Sequence, residues 1–215
     1  MYKKKSLFVT FEGIEGSGKS YQSKILYKKL KNNKISSTLT REPGGTKGAE
    51  IIRKIILKDY FQHNPKEQFS KETDTLLYLA ARNEHIRNKL KPALKKKQTV
   101  ICDRFIDSTT AYQVDGKGVN KNLVDSVHMH ILKDVIPDLT FILTVNINKA
   151  IKRLKKRKKK NRYDKFSNKF YKKVQQAFIK IGKKNKKRYI ILDNSSDSKE
   201  VENTIFNIVF KKLSK

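Results

Sequence analysis

Short apolar runs alternate with longer amphipathic segments along the chain. The runs have the length of buried strands, and they lie at Leu7–Phe11, Ser37–Thr40, Thr99–Cys102, Leu139–Val145 and Tyr189–Leu192. The segments between and after them have apolar residues at helical spacing, and they lie at 20–33, 46–58, 73–97, 121–135, 148–158, 165–182 and 198–213. Five strands separated by helices predict an α/β fold, with a parallel sheet covered on both faces.

The domain organisation follows from the same pattern. The 215 residues have the length of one α/β domain. There is no linker, no repeat and no second set of core segments, so we expect a single domain over residues 1–215. Pro92 lies within the 73–97 segment, where a proline kinks or divides a helix.

The composition raises the question of nucleic-acid binding. Lys and Arg total 51 against 20 acidic residues, a net charge of +31, which is typical of proteins that bind polyanions. The lysines are nevertheless spread over nearly every segment, beside many Asn and Ile residues whose codons are rich in A and T. This spread favours compositional bias, and we expect no specific nucleic-acid partner.

The cellular compartment is predicted from three features: membrane spans, signal peptides and disulfide bonds. No stretch approaches the ~20 apolar residues of a membrane span, and Leu7–Phe11 is too short for the core of a signal peptide. Cys102 is the one cysteine, which excludes an internal disulfide and fits a reducing compartment. We therefore expect a cytoplasmic protein without a membrane partner.

A glycine-rich motif follows the first predicted strand. Gly13-Ile14-Glu15-Gly16-Ser17-Gly18-Lys19-Ser20 matches the pattern G-x-x-x-x-G-K-[ST] and opens a predicted helix. Glycines let successive backbone N–H groups converge on an anion, and the helix N-terminus adds its dipole. In this motif the lysine reaches the β- and γ-phosphates and the serine hydroxyl binds Mg²⁺. The motif predicts binding of a nucleoside triphosphate but does not specify the reaction.

Three further groups of residues lie where an acceptor would bind. Asp103 and Arg104 end a buried strand, where they could contact Mg²⁺ and a phosphate, or form a structural ion pair. Arg41 precedes a Pro-Gly-Gly turn, which is either a phosphate site or an ordinary turn between strand and helix. Tyr78 and Arg82 share one helix face, and could read a base or simply pack.

Taken together, these motifs resemble those of the thymidylate kinase family, over about residues 6–195. The stretch Asp103-Arg104-Phe105-Ile106-Asp107-Ser108-Thr109-Thr110-Ala111-Tyr112-Gln113 is similar to the family signature D-R-[FY]-x-x-S-x-x-A-[FY]. Other blocks occur in family order, namely Phe11–Gly16, Arg41–Thr46, Ala80–Arg82 and Pro137–Thr140. The resemblance implies a P-loop nucleoside monophosphate kinase fold with a five-stranded parallel sheet. It also implies the reaction ATP + dTMP → ADP + dTDP with Mg²⁺, in dTTP biosynthesis, and a homodimer.

The resemblance also implies roles for individual residues. Arg41 and Arg104 would hold the acceptor phosphate, and Glu15 would accept from the deoxyribose 3′-hydroxyl. Tyr78, where the family more often has phenylalanine, would stack on thymine, and Arg82 would bind its O4. Thr109 or Gln113 would bind the N3 edge of thymine. Tyr112 would pack against C2′ of the sugar and disfavour a ribose. Pro43 would follow a cis peptide bond, while Ser20 and Asp103 would hold the metal.

The basic segment near 151–165 resembles the lid of bacterial family members, which supplies catalytic arginines. Since Glu15 is followed by Gly16, the phosphate loop itself lacks an additional basic residue. With Lys19 and Asp103, the predicted catalytic residues are therefore Arg153, Arg157 and Arg162. Five lysines share this segment (Lys155, Lys156, Lys158, Lys159 and Lys160), so the dominant cation stays open, as does a simple solvated basic helix face.

The motifs leave three other functions open. A UMP or CMP kinase is disfavoured by Tyr112, and a nucleoside kinase by two arginines directed at an acceptor phosphate. A nucleic-acid-stimulated ATPase rests on the net charge alone. The histidines His63, His85, His128 and His130 have no metal-site spacing and are expected on the surface or as satisfied core residues.

Overall fold

The computed structural model describes residues 6–58, 60–61, 67–156, 162–196 and 199–214. Five parallel strands form one sheet in the order β2-β3-β1-β4-β5. The strands are β1 (Phe8–Glu12), β2 (Ser37–Arg41), β3 (Thr99–Asp103), β4 (Leu139–Thr144) and β5 (Tyr189–Asp193). Each predicted strand is confirmed to within two residues at its ends. Strand β1 lies between β3 and β4, so the strand order reverses there, where α/β sheets bind ligands.

Helices cover both faces of the sheet. They are α1 (Lys19–Asn32), α2 (Lys47–Leu57), α3 (Lys71–His85), α4 (Lys91–Lys95), α5 (Ile106–Thr109), α6 (Lys121–Leu132), α7 (Ile147–Lys155), α8 (Asn168–Lys184) and α9 (Lys199–Leu213). A 3₁₀ turn spans Arg162–Lys165. Within the described ranges, no helix is long and apolar enough to cross a membrane.

Alternate strand residues bury against different helices, as the period of a strand requires. Val9, Phe11 and Phe141 pack with α1 and α9 on one face of the sheet. Phe8 and Val100 pack on the other face, against the α4 region and the end of α6. The sheet is thereby held rigidly beneath the loops that follow its carboxyl ends.

The division predicted near Pro92 is confirmed in one helical region, whereas a second helical region was not predicted. The 73–97 segment is divided, because a π-helical turn at Ile86–Leu90 separates α3 from α4, which has Pro92 in its first turn. No helix was predicted over 106–116, yet α5 continues there into a π-helical segment, Thr110–Gly116. This segment is short and mostly polar, and its helical form depends on contacts with α6 and α8.

Candidate active site

The phosphate loop joins β1 to α1 in a conformation that only glycine adopts without strain. Gly16 has a φ of 75°, and a Cβ there would come within 2.6 Å of the Ala150 carbonyl oxygen. Gly18 has a φ of 89° and directly precedes α1. Positive φ angles turn the loop so that its backbone N–H groups and the helix N-terminus serve one anion site.

Lys19 is buried within this loop. Its Nζ donates to the Ile14 carbonyl oxygen at 2.6 Å and to Ser17 Oγ at 3.3 Å, and the residue is 6% exposed. Burial, reinforced by the nearby Arg104 guanidinium, lowers the pKa of Lys19 to about 7. A triphosphate in the loop would supply the negative charge that this ammonium needs.

Arg153 and Asn194 brace the same loop from outside. Arg153 Nη1 donates to the Gly16 carbonyl oxygen at 2.9 Å, and its Nη2 donates to the Asn194 carbonyl oxygen at 3.0 Å. Asn194 Nδ2 donates to the Ser17 carbonyl oxygen at 2.7 Å. The predicted lid arginine therefore lies against the phosphate loop. Asn194 was missed from the sequence, although its place directly after β5 at the carboxyl edge of the sheet is a usable signal.

Next to the loop lies a cleft that is partly open to solvent. Its walls include all eight residues predicted to bind the acceptor: Glu15, Arg41, Tyr78, Arg82, Arg104, Thr109, Tyr112 and Gln113. Lys19, Ser20 and Asp103 line the same cleft. Residues from four separate parts of the sequence thus converge beside one phosphate loop.

Asp103 and Arg104 lie where β3 ends. Ser20 Oγ donates to Asp103 Oδ2, whereas Asp103 Oδ1 is buried without a partner in the described part of the chain. Arg104 Nη2 donates to Glu15 Oε1 at 2.7 Å, and its Nη1 donates to the Gly13 carbonyl oxygen at 3.0 Å. Burial is the largest single effect and would lower the pKa of Arg104, but Glu15 and the other nearby acidic groups together raise that pKa.

Glu15 is also bound to Tyr112. The Tyr112 hydroxyl donates to Glu15 Oε2, and the Tyr112 ring lies 5.2 Å from the centre of the Arg104 guanidinium. Tyr112 is 4% exposed, and burial, followed by the Glu15 charge, raises the pKa of its hydroxyl well above the usual value. This tyrosine is therefore a neutral, fixed wall of the cleft.

The Arg82 guanidinium is held by surrounding acceptors. Its Nε donates to Glu42 Oε2 at 2.7 Å and its Nη1 to Thr109 Oγ1 at 2.8 Å. Burial would raise the pKa of Glu42, but Arg82 and then His85 lower it overall, so this carboxylate stays charged. The Glu42–Pro43 peptide bond is cis, as the resemblance implies.

Arg53 is a cleft residue that the sequence analysis missed. It extends from α2 into the cleft, where its Nη1 donates to the Pro43 carbonyl oxygen at 2.6 Å. Burial and the neighbouring Arg41 lower the pKa of Arg53. Arg41 itself is bound to Glu50 at 2.8 Å and is half exposed. Arg53 lies twelve residues after Arg41 on an amphipathic helix. Nothing in the sequence indicates that its side chain faces the same cleft as Arg41.

Arg162 and Tyr163, near the end of the predicted lid segment, lie at the mouth of this cleft. Arg162 Nη2 donates to Asp74 Oδ1, and the Tyr163 hydroxyl lies 3.1 Å from Asp74 Oδ2. Tyr163 lines the cleft, with its ring centre 6.1 Å from that of Tyr78. Arg162 is thus placed at α3, not at the phosphate loop, and its catalytic role stays a prediction. Arg157 and Lys158–Lys160 lie outside the described residues, as does His63.

Comparisons with known proteins point to one family. A family model described as thymidylate kinase matches residues 11–205. A thymidylate kinase of Mycoplasma capricolum is 39% identical over 209 residues, 96% of each chain. One from Halothermothrix orenii is 36% identical over 208 residues, covering 95% of this chain and 97% of its own. The crystal structure of thymidylate kinase from Ehrlichia chaffeensis matches with a TM-score of 0.72 and 34% identity, covering 97% of this chain and 99% of that one.

Proposed function

The chain belongs to the thymidylate kinase family, and we propose that it transfers the γ-phosphoryl group of ATP to the phosphate of dTMP, which yields ADP and dTDP. The observation that carries the proposal is the convergence of the predicted acceptor residues in one cleft beside the phosphate loop. Phosphoryl transfer demands little covalent chemistry from a protein, so positioning and charge neutralisation account for the rate.

On the donor side, the phosphate loop and Lys19 bind the triphosphate. Lys19 is buried and points back over the loop, so its charge acts in a region of low dielectric. Arg153 reaches the loop from α7, which supports its role at the transferring phosphoryl group. A planar guanidinium can bridge two equatorial oxygens, which an ammonium cannot.

On the acceptor side, Arg41 and Arg104 bind the monophosphate, and we add Arg53. All three side chains line the cleft, and their positive charge draws in a phosphate that is largely ionised near neutral pH. Because that phosphate is itself the nucleophile, the reaction needs no general base.

The nucleoside is recognised by the rest of the cleft. Tyr78 and Tyr163 form aromatic walls for a base, while Arg82 supplies a donor for O4 and Gln113 an acceptor for N3–H. The Tyr112 ring is held by Glu15, and we expect it to pack against C2′ of the sugar and to disfavour a ribose.

Ser20 and Asp103 are the residues that fit Mg²⁺. Their side chains are in direct contact, and Asp103 Oδ1 is buried without a partner among the described residues. A hydroxyl and a carboxylate are oxygen ligands of the kind Mg²⁺ prefers, directly or through water. When bound, the ion neutralises charge on the phosphates.

We also expect a homodimer in the cytoplasm. Ile51 of α2, Leu76 of α3 and Met129 of α6 are exposed apolar residues, and α3 packs against both other helices. Exposed apolar residues on neighbouring helices favour a contact between protein chains. Analytical ultracentrifugation would test the dimer.

A panel of nucleoside monophosphates with ATP and Mg²⁺, scored for ADP release, tests the function. We expect dTMP to be the best acceptor, dUMP to follow, and UMP to be poor because Tyr112 crowds its 2′-hydroxyl. Equal turnover of UMP and dTMP, or none with dTMP, would contradict the assignment. A parallel reaction with duplex DNA at physiological salt should release no additional ADP, since the basic charge is spread rather than gathered in one groove.

A further inference from the structure

His128 contacts the candidate base-reading arginine from a helix that carries none of the recognised motifs. It lies on α6, and its Nε2 is 2.7 Å from Arg82 Nη1. A guanidinium carries only donors, so Nε2 is the acceptor and the imidazole is neutral. Burial lowers the pKa of His128 to about 3, and the charges of Arg82 and Lys121 contribute further. The imidazole therefore accepts this hydrogen bond throughout the neutral pH range.

The hydrogens of Arg82 can be counted. The guanidinium has five N–H groups, which find acceptors in Glu42 Oε2, Thr109 Oγ1, His128 Nε2 and the Phe105 carbonyl oxygen. One N–H of Nη2 is left without an acceptor in the described part of the chain. The direction of that N–H is fixed by the other four contacts, since the guanidinium is planar.

We propose that His128 is a positioning residue for base recognition, which holds the Arg82 guanidinium so that its remaining N–H meets the 4-carbonyl of a pyrimidine. The inference rests on the proposed function, because it takes Arg82 as the donor to that carbonyl. Among the described hydrogen bonds, that of His128 is with Arg82, and His128 is not one of the residues that line the cleft. It closes the side of Arg82 that faces α6, whereas Glu42, Thr109 and Phe105 hold the other sides.

The expected effect is on discrimination between bases. Thymine presents an acceptor at position 4, whereas cytosine presents an amino group, and a fixed N–H facing an amino group is repulsive. Sites built to match one hydrogen-bonding pattern reject the other strongly, because polar groups are otherwise left unpaired. A guanidinium freed on one side can turn away from the amino group, so it rejects cytosine less well while keeping its charge.

The test compares His128→Ala and His128→Gln with His130→Ala. Gln places an oxygen near the position of Nε2, so it can accept from Arg82. His130 lies two residues further along α6, is exposed, and bonds only to the Ser126 carbonyl oxygen among the described contacts. Calorimetry gives the dissociation constants of dTMP and dCMP for each protein, and steady-state kinetics gives KM for ATP.

We expect His128→Ala to reduce the preference for dTMP over dCMP about tenfold, the order of one hydrogen bond to a charged group. KM for ATP should not change, His128→Gln should restore most of the preference, and His130→Ala should match the wild type. The same preference in a folded His128→Ala protein would overturn the inference, and so would equal losses in the Ala and Gln variants. A wild type that binds dCMP as tightly as dTMP would instead contradict the proposed function.

Discussion

The guanidinium of Arg104 and the carboxylate of Glu15 are joined by a 2.7 Å hydrogen bond that links the loop after β3 to the phosphate loop. Arg104 makes this contact from a left-handed backbone conformation, with a φ of 72°. For a residue with a side chain, that conformation costs on the order of 1–3 kcal/mol and persists where the surroundings impose it. The position therefore combines backbone strain with a charge that faces the cleft.

Substitution of Arg104 separates these two properties. Arg104→Ala removes the guanidinium and keeps the strain, whereas Arg104→Gly removes both. We expect both variants to raise KM for dTMP by tenfold or more, on the order of one lost charged contact, with little change in KM for ATP. Arg104→Gly should be about 1 kcal/mol more stable than Arg104→Ala in urea unfolding, because glycine avoids the ~1–2 kcal/mol cost of a left-handed backbone although it loses more chain entropy on folding. An unchanged KM for dTMP in both would mean that Arg104 serves only the loop structure.

Lys19→Ala should lower kcat by ~10²-fold or more, because a charge at the transferring phosphoryl group is lost. KM for dTMP should change little, since the Lys19 ammonium contacts the loop itself, at Ile14 and Ser17. Lys24→Ala, on the exposed side of the same helix, is the matched control and should retain wild-type kcat. Similar losses in both variants would point to a general effect of charge on substrate encounter.

The parts of this site that sequence could predict are those encoded locally. The phosphate loop, Asp103 and Arg104 follow apolar strands directly, so their place at the carboxyl edge of the sheet follows from the α/β pattern. Tyr112 and Gln113 came from the resemblance, since no helix was predicted where they lie. Helical spacing is hard to recognise in so short and polar a segment.

The parts that sequence could not predict depend on contacts between distant segments. Asn194 reaches the phosphate loop from 177 residues away, and Arg162 meets Asp74 across 88 residues. The place of Asn194 after β5 indicates the correct edge of the sheet but not the contact, and Asp74 in the first turn of α3 has no local pattern that indicates its partner. His128 is similar, because only the packing of α6 against α3 brings it to Arg82.

Asp74 should be a large contributor to stability at the cleft mouth. It is 1% exposed and accepts from Lys117 at 2.7 Å, from Arg162 and from the Tyr163 hydroxyl. Asp74→Asn leaves two cations without a counter-charge, and since both are partly exposed we expect a cost of about 2–3 kcal/mol in urea unfolding. KM for dTMP should also rise, because Tyr163 loses a partner that holds it in the cleft.

The matched control for Asp74 is Asp125→Asn. Asp125 pairs with Lys121 on the surface of α6, with both side chains more than half exposed. Exposed pairs of this spacing contribute about 0.3–0.5 kcal/mol. Equal destabilisation by the two variants would show that the contacts of buried Asp74 stabilise the protein no more than an exposed ion pair does.

Arg153→Ala should lower kcat by ~10³-fold if this guanidinium stabilises the transferring phosphoryl group. KM for dTMP should stay nearly constant, because Arg153 contacts the phosphate loop at Gly16 and not the acceptor residues described above. Lys152→Gln removes the adjacent, exposed charge of the same helix and should cost far less, with the remaining effect diminishing in added salt. A larger loss for Lys152→Gln would indicate that the lid acts through its overall field.

The pH dependence of the free energy of unfolding should show the lowered pKa of His128. Its pKa is about 3 in the folded protein, against 6.5 ordinarily, since burial and the facing charges of Arg82 and Lys121 disfavour the imidazolium. Below pH 6.5 the unfolded chain therefore binds a proton that the folded protein does not, so the stabilising contribution falls as the pH falls towards 3.

Between pH 7.5 and 5, the wild type should lose about 1–2 kcal/mol more stability than His128→Gln in urea unfolding. His130→Gln should follow the wild type, because that side chain is exposed. The same loss in the wild type and in His128→Gln would mean that the imidazole takes up a proton as readily in the folded protein as in the unfolded chain, which contradicts a fixed hydrogen bond from Arg82.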